Sequence, residues 1–384
     1  FYDFSGSTVI KDNPNPEEYG RFGERIGVDA GNRIITNISH NSSRVAAIYD
    51  SGGNLSQYIS RQDTSNVHEV NIACSENGNY IAILERDINP TDSNNASDHV
   101  QGLHLYKRNS STGQYSHIDD YDLPGRVNNY NTASFSMSEM CIMTDTYLAL
   151  YDSTYVLPGN SYPYNGFDGR VIIMSFTDSG GWVKEREHTG TRSQLDGNTF
   201  YFTQQLGSCL CLNDSYYVLG EAYQTSYTGY NRLFVYNTNN GTLVRTIAND
   251  DSINRLCFDP DDSDVIVGTS GKNILKWDVT TGNTVTSNIN AQSVSDIYGN
   301  MRNWQRLSSN LVGVTMTGDS GRIAIIREND GRTEDSIQYA PSELNNKGYI
   351  DQFRFIGTNK LVHGDLWYTD DETYEGRLYI RTQE

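Results

Sequence analysis

No run of about 18 apolar residues occurs in the sequence, so no segment reads as a membrane-spanning helix. Helical periodicity is missing as well: no window keeps apolar residues at three- and four-residue spacing over three turns. Positive charge is scarce. Lys and Arg number 29 against 48 Asp and Glu, for a net charge of −19. That balance disfavours nucleic acid, whose phosphates need cations, and an anionic membrane surface. It suits a soluble surface. No Pro- or Ser-rich linker interrupts the chain, which favours one domain over residues 1–384 despite the length. The sequence opens at Phe1 without a signal-peptide pattern, which leaves secretion open. Cysteine is rare and odd in number: Cys74, Cys141, Cys209, Cys211 and Cys257 make no disulfide frame. Each falls in the first apolar run of a repeat unit, where it reads as a small reduced filler near a ring axis.

What is present is a rhythm of short β runs and Gly-closed turns. Ala47–Asp50 leads to Gly53, Leu105-Tyr106 to Gly113, Ile173–Phe176 to Gly181, Leu233–Tyr236 to Gly241, Ile274–Trp277 to Gly282, and Ile323–Ile326 to Gly331. Glycine beside Asn, Asp, Ser or Thr supplies the positive φ that a tight hairpin needs. Two further runs precede each turn, and the units recur every roughly 45–60 residues, as four-stranded blades do. The expected fold is all-β: a single β-propeller of about seven four-stranded blades. The blades fall at 19–66, 67–124, 130–190, 198–251, 252–300, 301–344 and 349–384, the last completed by 1–12. Pairing the N-terminal strand into the last blade closes the ring and removes an open sheet edge.

Catalytic signatures do not appear. The sequence has no nucleophile elbow, His-Glu-x-x-His helix, phosphate-cradling loop or calcium loop. The seven histidines are scattered, with His99 and His104 the one close pair in sequence, and no metal site is expected. Ser175–Trp182 is a compressed near-match to the Asp box of sialidase-like propellers and is not repeated. Asp87–Asp98 and Asp259–Asp264 are rich enough in oxygen to interest Ca²⁺, but neither has the spacing of a known calcium loop, so no cofactor is expected.

Length instead accumulates between the second and third strands of several blades, at Asp87–Gly102, Asp152–Gly169, Glu221–Asn231 and Leu366–Gly376. These segments carry Tyr155, Tyr162, Tyr164, Tyr223, Tyr227, Tyr230, Trp367, Tyr368 and Tyr374, with Asp98 and Asp370 among their acids. Rigid aromatics among small polar neighbours suit recognition of a glycan or protein, and these residues are the expected binding face.

The stretch from Tyr19 through Phe22-Gly23 to Arg33-Ile-Ile-Thr, continuing into Arg44–Gly53, resembles the FG-GAP-type propeller module. Asn254–Gly282, with Trp277-Asp278, is more similar to a WD-repeat blade. FG-GAP-type modules recur in bacteriophage virion proteins and bacterial surface proteins. The resemblance implies a non-enzymatic virion structural or adhesion protein, folded in the host cytoplasm and carried on a phage tail or capsid. Its partners would be other virion proteins, in a homo- or hetero-oligomeric assembly, and a host-surface glycan or protein; an extracellular surface is the alternative setting. Two further readings stand beside it: an intracellular WD-like scaffold for protein partners, and a carbohydrate-active propeller enzyme.

Overall fold

The computed structural model describes residues 4, 6–14, 22–23, 25–38, 43–61, 67–75, 77–87, 101–123, 141–152, 170–177, 181–189, 192–194, 201–223, 231–249, 253, 255–259, 261–270, 273–290, 301–308, 311–316, 322–327, 333–338, 353–365 and 376–384. Every regular element among them is a strand. After β1 (Thr8–Asp12), blade 1 comprises β2 (Ile26–Val28), β3 (Ile34–Asn37), β4 (Arg44–Tyr49) and β5 (Leu55–Ser60). Blade 2 is β6 (Val67–Cys74), β7 (Tyr80–Asp87), β8 (Gln101–Arg108) and β9 (Tyr115–Leu123). Blade 3 is β10 (Cys141–Met143), β11 (Tyr147–Asp152), β12 (Arg170–Ser175) and β13 (Val183–Thr189). Blade 4 is β14 (Arg192–Gln194), β15 (Tyr201–Leu212), β16 (Tyr216–Tyr223), β17 (Asn231–Asn237) and β18 (Leu243–Asn249). Blade 5 is β19 (Arg255–Asp259), β20 (Asp262–Ser270), β21 (Asn273–Asp278) and β22 (Thr284–Asn290). Blade 6 is β23 (Met301–Ser308), β24 (Leu311–Met316), β25 (Arg322–Arg327) and β26 (Thr333–Gln338), and blade 7 is β27 (Phe353–Ile356), β28 (Lys360–Asp365) and β29 (Arg377–Thr382).

The fold is therefore the expected all-β, seven-bladed propeller of antiparallel sheets. Blade 7 receives β1 as its outer strand, in the order β1-β29-β28-β27, with Thr8 opposite Arg381 and Asp12 opposite Arg377. One sheet departs from four strands: β14 adds to β15 in blade 4. Chain contacts divide the molecule into two compact units. One (1–89, 101–118 and 289–384) holds blades 6, 7, 1 and 2; the other (90–100 and 119–288) holds blades 3, 4 and 5, and the limits cut through β9 and β22.

Burial explains the pattern of residue types. Two third strands are covered on both faces: β4 is buried from Val45 to Tyr49 and β12 from Arg170 to Met174, apolar except for Arg170. Fourth strands are open edges and stay polar, as β13 does. Within the first unit, Ile35, Val45, Ala46, Ile48 and Ile59 of blade 1 pack on Ile81, Ile83, Tyr106 and Tyr115 of blade 2. Within the second, Ala149, Tyr151, Val171 and Ile173 of blade 3 pack on Leu210, Leu212, Tyr217 and Leu219 of blade 4. Cys209 and Cys211 are buried apolar neighbours of Val218 and Leu233, and burial raises the Cys211 thiol pKa; neither is in a disulfide, nor are Cys74 and Cys257.

The two sequence signatures have structural reasons. Phe22 is fully buried between Tyr49 of blade 1 and Val362, Leu378 and Ile380 of blade 7. Gly23 (φ +82°) follows because a Cβ there would lie 2.8 Å from the Arg377 carbonyl oxygen, and one on Gly364 would lie 1.8 Å from that of Gly23. Trp277 is a core residue, and Asp278 caps the turn after it, its Oδ1 accepting the N–H groups of Thr280 and Thr281. The Thr280 hydroxyl, which donates to the same oxygen, and then these N–H groups hold the Asp278 carboxyl below its ordinary pKa.

Candidate functional site

Strand pairing shows how each long connection is held. Arg86 pairs with Gln101, Asp152 with Arg170, Glu221 with Arg232 and Asp365 with Arg377. Segments 88–100, 153–169, 224–230 and 366–375 thus join second to third strands in blades 2, 3, 4 and 7. Tyr155, Tyr162, Tyr164, Tyr227, Tyr230, Trp367, Tyr368, Tyr374, Asp98 and Asp370 lie on these segments, outside the described residues. Tyr223 is the last residue of β16, opposite Gln204, and its side chain is outside them too.

The opposite end of the third strand is built differently. The turns after β8, β17 and β21 share one design: Asn109, Asn237 or Asp278 accepts backbone N–H groups two and three residues on, and a glycine four residues on returns its own N–H to the first carbonyl. Gly113, Gly241 and Gly282 have φ of 72°, 69° and 75°. A cation from the preceding blade then grips the turn. Arg33 of blade 1 donates to the Gly113 carbonyl. Arg186 of β13 donates to the carbonyls of Thr238 (2.8 Å) and Asn239 (2.9 Å), and Arg245 of β18 donates to that of Thr280 (2.6 Å). Lys360 of blade 7 reaches the Ser51 carbonyl (2.6 Å) in the turn after β4. Sequence reading missed these latches, because each joins residues tens to hundreds of positions apart.

Several buried ionisable groups among the described residues are held by packing and hydrogen-bond partners. Asp29 is buried and takes both Arg33 and the Gly31 and Arg33 N–H groups. The Tyr115 hydroxyl lies 2.6 Å from the Gly78 carbonyl and 3.1 Å from Asp29 Oδ2, and burial raises its pKa. His363 is fully buried, stacked on Tyr379 at 5.0 Å, and its Nε2 accepts Arg381 Nε–H at 3.0 Å. Burial first, and then the Arg381 charge, push its pKa down to about 3. His188 sits against Tyr217 and Tyr236, which stack on each other at 5.0 Å; burial lowers its pKa and raises that of Tyr217 to about 12. In the segment likened to an Asp box, the Trp182 ring packs edge-on against Phe176 and the Trp182 backbone N–H donates to Asp119 Oδ2. That geometry is structural.

Sequence reading also took His104 with His99, its neighbour along the chain. His99 lies outside the described residues, and the structure sets His104 beside His117, ring centroids 6.2 Å apart. The signal was the Gly113 turn: it brings Tyr106 to His117 (5.4 Å), and two residues back along β8 lies His104 on the same face.

No family model matches the chain, and no curated protein does. Among solved structures it is similar to the crystal structure of Saccharomyces cerevisiae Sqt1, with a TM-score of 0.52 and 9% identity over 94% of this chain and 83% of that one. It is more loosely similar to the Dos1 propeller, with a TM-score of 0.43 and 14% identity over 97% and 80%. The likeness to Sqt1, at 9% identity, shows the propeller fold and no function.

Proposed function

We propose that this propeller is a non-catalytic scaffold that binds a protein partner through the second-to-third-strand connections of blades 2, 3, 4 and 7. The carrying observation is the one-sided spending of chain length: those connections are long and aromatic, while the turns at the other end of the third strand are short and gripped. Long connections on a rigid frame are the usual seat of recognition. A net charge of −19 and carboxylates such as Asp98 and Asp370 favour a basic partner surface, steered by charge and anchored by Tyr162, Tyr227 and Trp367. The test is affinity capture by wild type and by the Tyr162→Ala, Tyr227→Ala double variant, each read at low and high salt. One partner lost on mutation and weakened by salt is expected. Capture unchanged by the double variant refutes the proposed face. Display on a phage tail or capsid is the finer reading, suggested by the resemblance of the Tyr19–Gly53 sequence to FG-GAP-type modules alone, and mass spectrometry of purified particles for this chain tests it.

A further inference from the structure

Two guanidinium groups of the first unit come together at the first strands of blades 7, 1 and 2. Arg354 lies on β27 between Phe353 and Phe355, whose rings pack with Leu307, Leu311, Ile323 and Ile325 of blade 6. Alternation turns Arg354 to the other face with Ile356, which packs on Phe22 and Ile26 of blade 1. Arg25 immediately precedes β2 and is buried. Its backbone N–H donates to Asn37 Oδ1 and its Nε to Asn71 Oδ1 of β6, each at 2.9 Å. A Cβ on Gly27 would lie 2.9 Å from that of Cys74, so β6 runs close against β2. We propose that Arg25 and Arg354 together bind one phosphate-sized oxyanion.

The charges argue for an anion. Burial lowers the Arg354 pKa; Cys74 acts the other way, and the Arg25 charge adds to burial. Two like charges drawn out of water side by side oppose each other until a negative group joins them. Among the described residues Arg354 has one hydrogen bond, from Nη1 to the Phe353 carbonyl at 2.8 Å, and no ion pair. The donors argue for an oxyanion over chloride. Guanidinium forks match the paired oxygens of a phosphate, and Asn71, its Oδ1 taken by Arg25, has N–H groups left to give. A net charge of −19 repels anions at long range, so binding must come from these local contacts.

The experiment titrates sodium phosphate into the full chain by calorimetry and follows melting in phosphate against chloride at equal ionic strength. One phosphate per chain and a melting point that climbs with phosphate are expected. Arg25 ties β2 to β6, so the variants are made at Arg354. Arg354→Met should weaken phosphate by roughly 10–100-fold and melt in chloride no lower than wild type, because it relieves Arg25 of a like charge. Arg354→Lys should fall between, keeping the charge and losing the fork. Glycerol phosphate in place of phosphate distinguishes the sources: tighter binding assigns the site to a phosphorylated small molecule, weaker binding to the free ion. Absence of stoichiometric phosphate binding overturns the proposal. So does a phosphate-induced rise in melting that Arg354→Met retains in full, which would be a general salt effect. An Arg354→Met that melts well below wild type in chloride also counts against it, since Arg354 would then serve the frame.

Discussion

Acid should weaken this fold through one histidine. His363 is fully buried and neutral, its Nε2 committed to Arg381 and its ring to Tyr379. The unfolded chain takes up a proton there near 6.5, the folded chain only near 3. Below pH 6.5 the unfolded state therefore binds more protons, and stability falls with pH until about 3; above 6.5 the contribution is complete. One proton is worth about 1.4 kcal/mol per pH unit, so moving from pH 6.5 to 4.5 should cost about 3 kcal/mol at this site. At a slope of about 3 kcal/mol per M, the urea midpoint drops by about 1 M. Carboxylates titrate over the same range, so the quantity that matters is a difference between variants. Gln at 363 keeps an acceptor for Arg381 but cannot be protonated. His363→Gln should be less stable than wild type at pH 7 and should lose about 3 kcal/mol less on going to pH 4.5. Parallel losses in the two proteins would refute the assignment of the acid sensitivity to His363.

Other positions test the frame. Gly241→Ala places a Cβ 2.1 Å from Arg186 Nε at φ +69°, whereas Gly357→Ala meets a similar φ of +58° with nothing nearer than 4.0 Å. Calorimetric melting should show about 1 kcal/mol lost at Gly357 and about 2–4 kcal/mol at Gly241, where the two bonds from Arg186 go as well; equal losses would remove the latch from the stability account. Tyr115→Phe leaves Asp29 and the Gly78 carbonyl without the phenol and should cost about 1–3 kcal/mol in urea unfolding, and a loss below about 0.5 kcal/mol would count against the network. Removal of residues 1–12 deletes β1 and Phe4, which packs on Phe355 at 6.0 Å, and exposes the edge of β29. Light scattering should show self-association of the truncated chain, and a monomer with wild-type melting would refute a closing role for β1.

The blades were legible because each local choice agrees with the whole. Alternating β-branched runs can bury one face only as strands, and Gly53, Gly113, Gly181, Gly241 and Gly282 each take the positive φ that their turns demanded. Closure was legible from a spare strand at one end of the chain and a blade short of one at the other. β14 was not, because Arg-Ser-Gln is short, polar and without periodicity. The latches and the His104–His117 pair were not legible along the chain: both arise from juxtaposition across turns and between blades. The proposed recognition face rests on composition and loop length alone, because its side chains lie outside the described residues.

The two ends of the third strands answer to different constraints, and that difference is open to measurement. A turn such as Asn237–Gly241 has its length fixed twice, by the ring of bonds from Asn237 and by the Arg186 fork, which must find the carbonyls of Thr238 and Asn239 together. A connection such as 153–169 is bracketed by the Asp152–Arg170 pair, so the ladder closes beneath it whatever its length. Loop closure itself grows slowly, at about 0.6 kcal/mol per doubling of length. Two glycines inserted after Asn239 should therefore cost several-fold more stability than the same two inserted after Gly159. If binding resides in the long connections, the Gly159 insertion should weaken partner capture while leaving the melting temperature nearly unchanged. Equal destabilisation by both insertions would mean that the long connections are part of the frame, and the one-sided recognition surface would fall with that result.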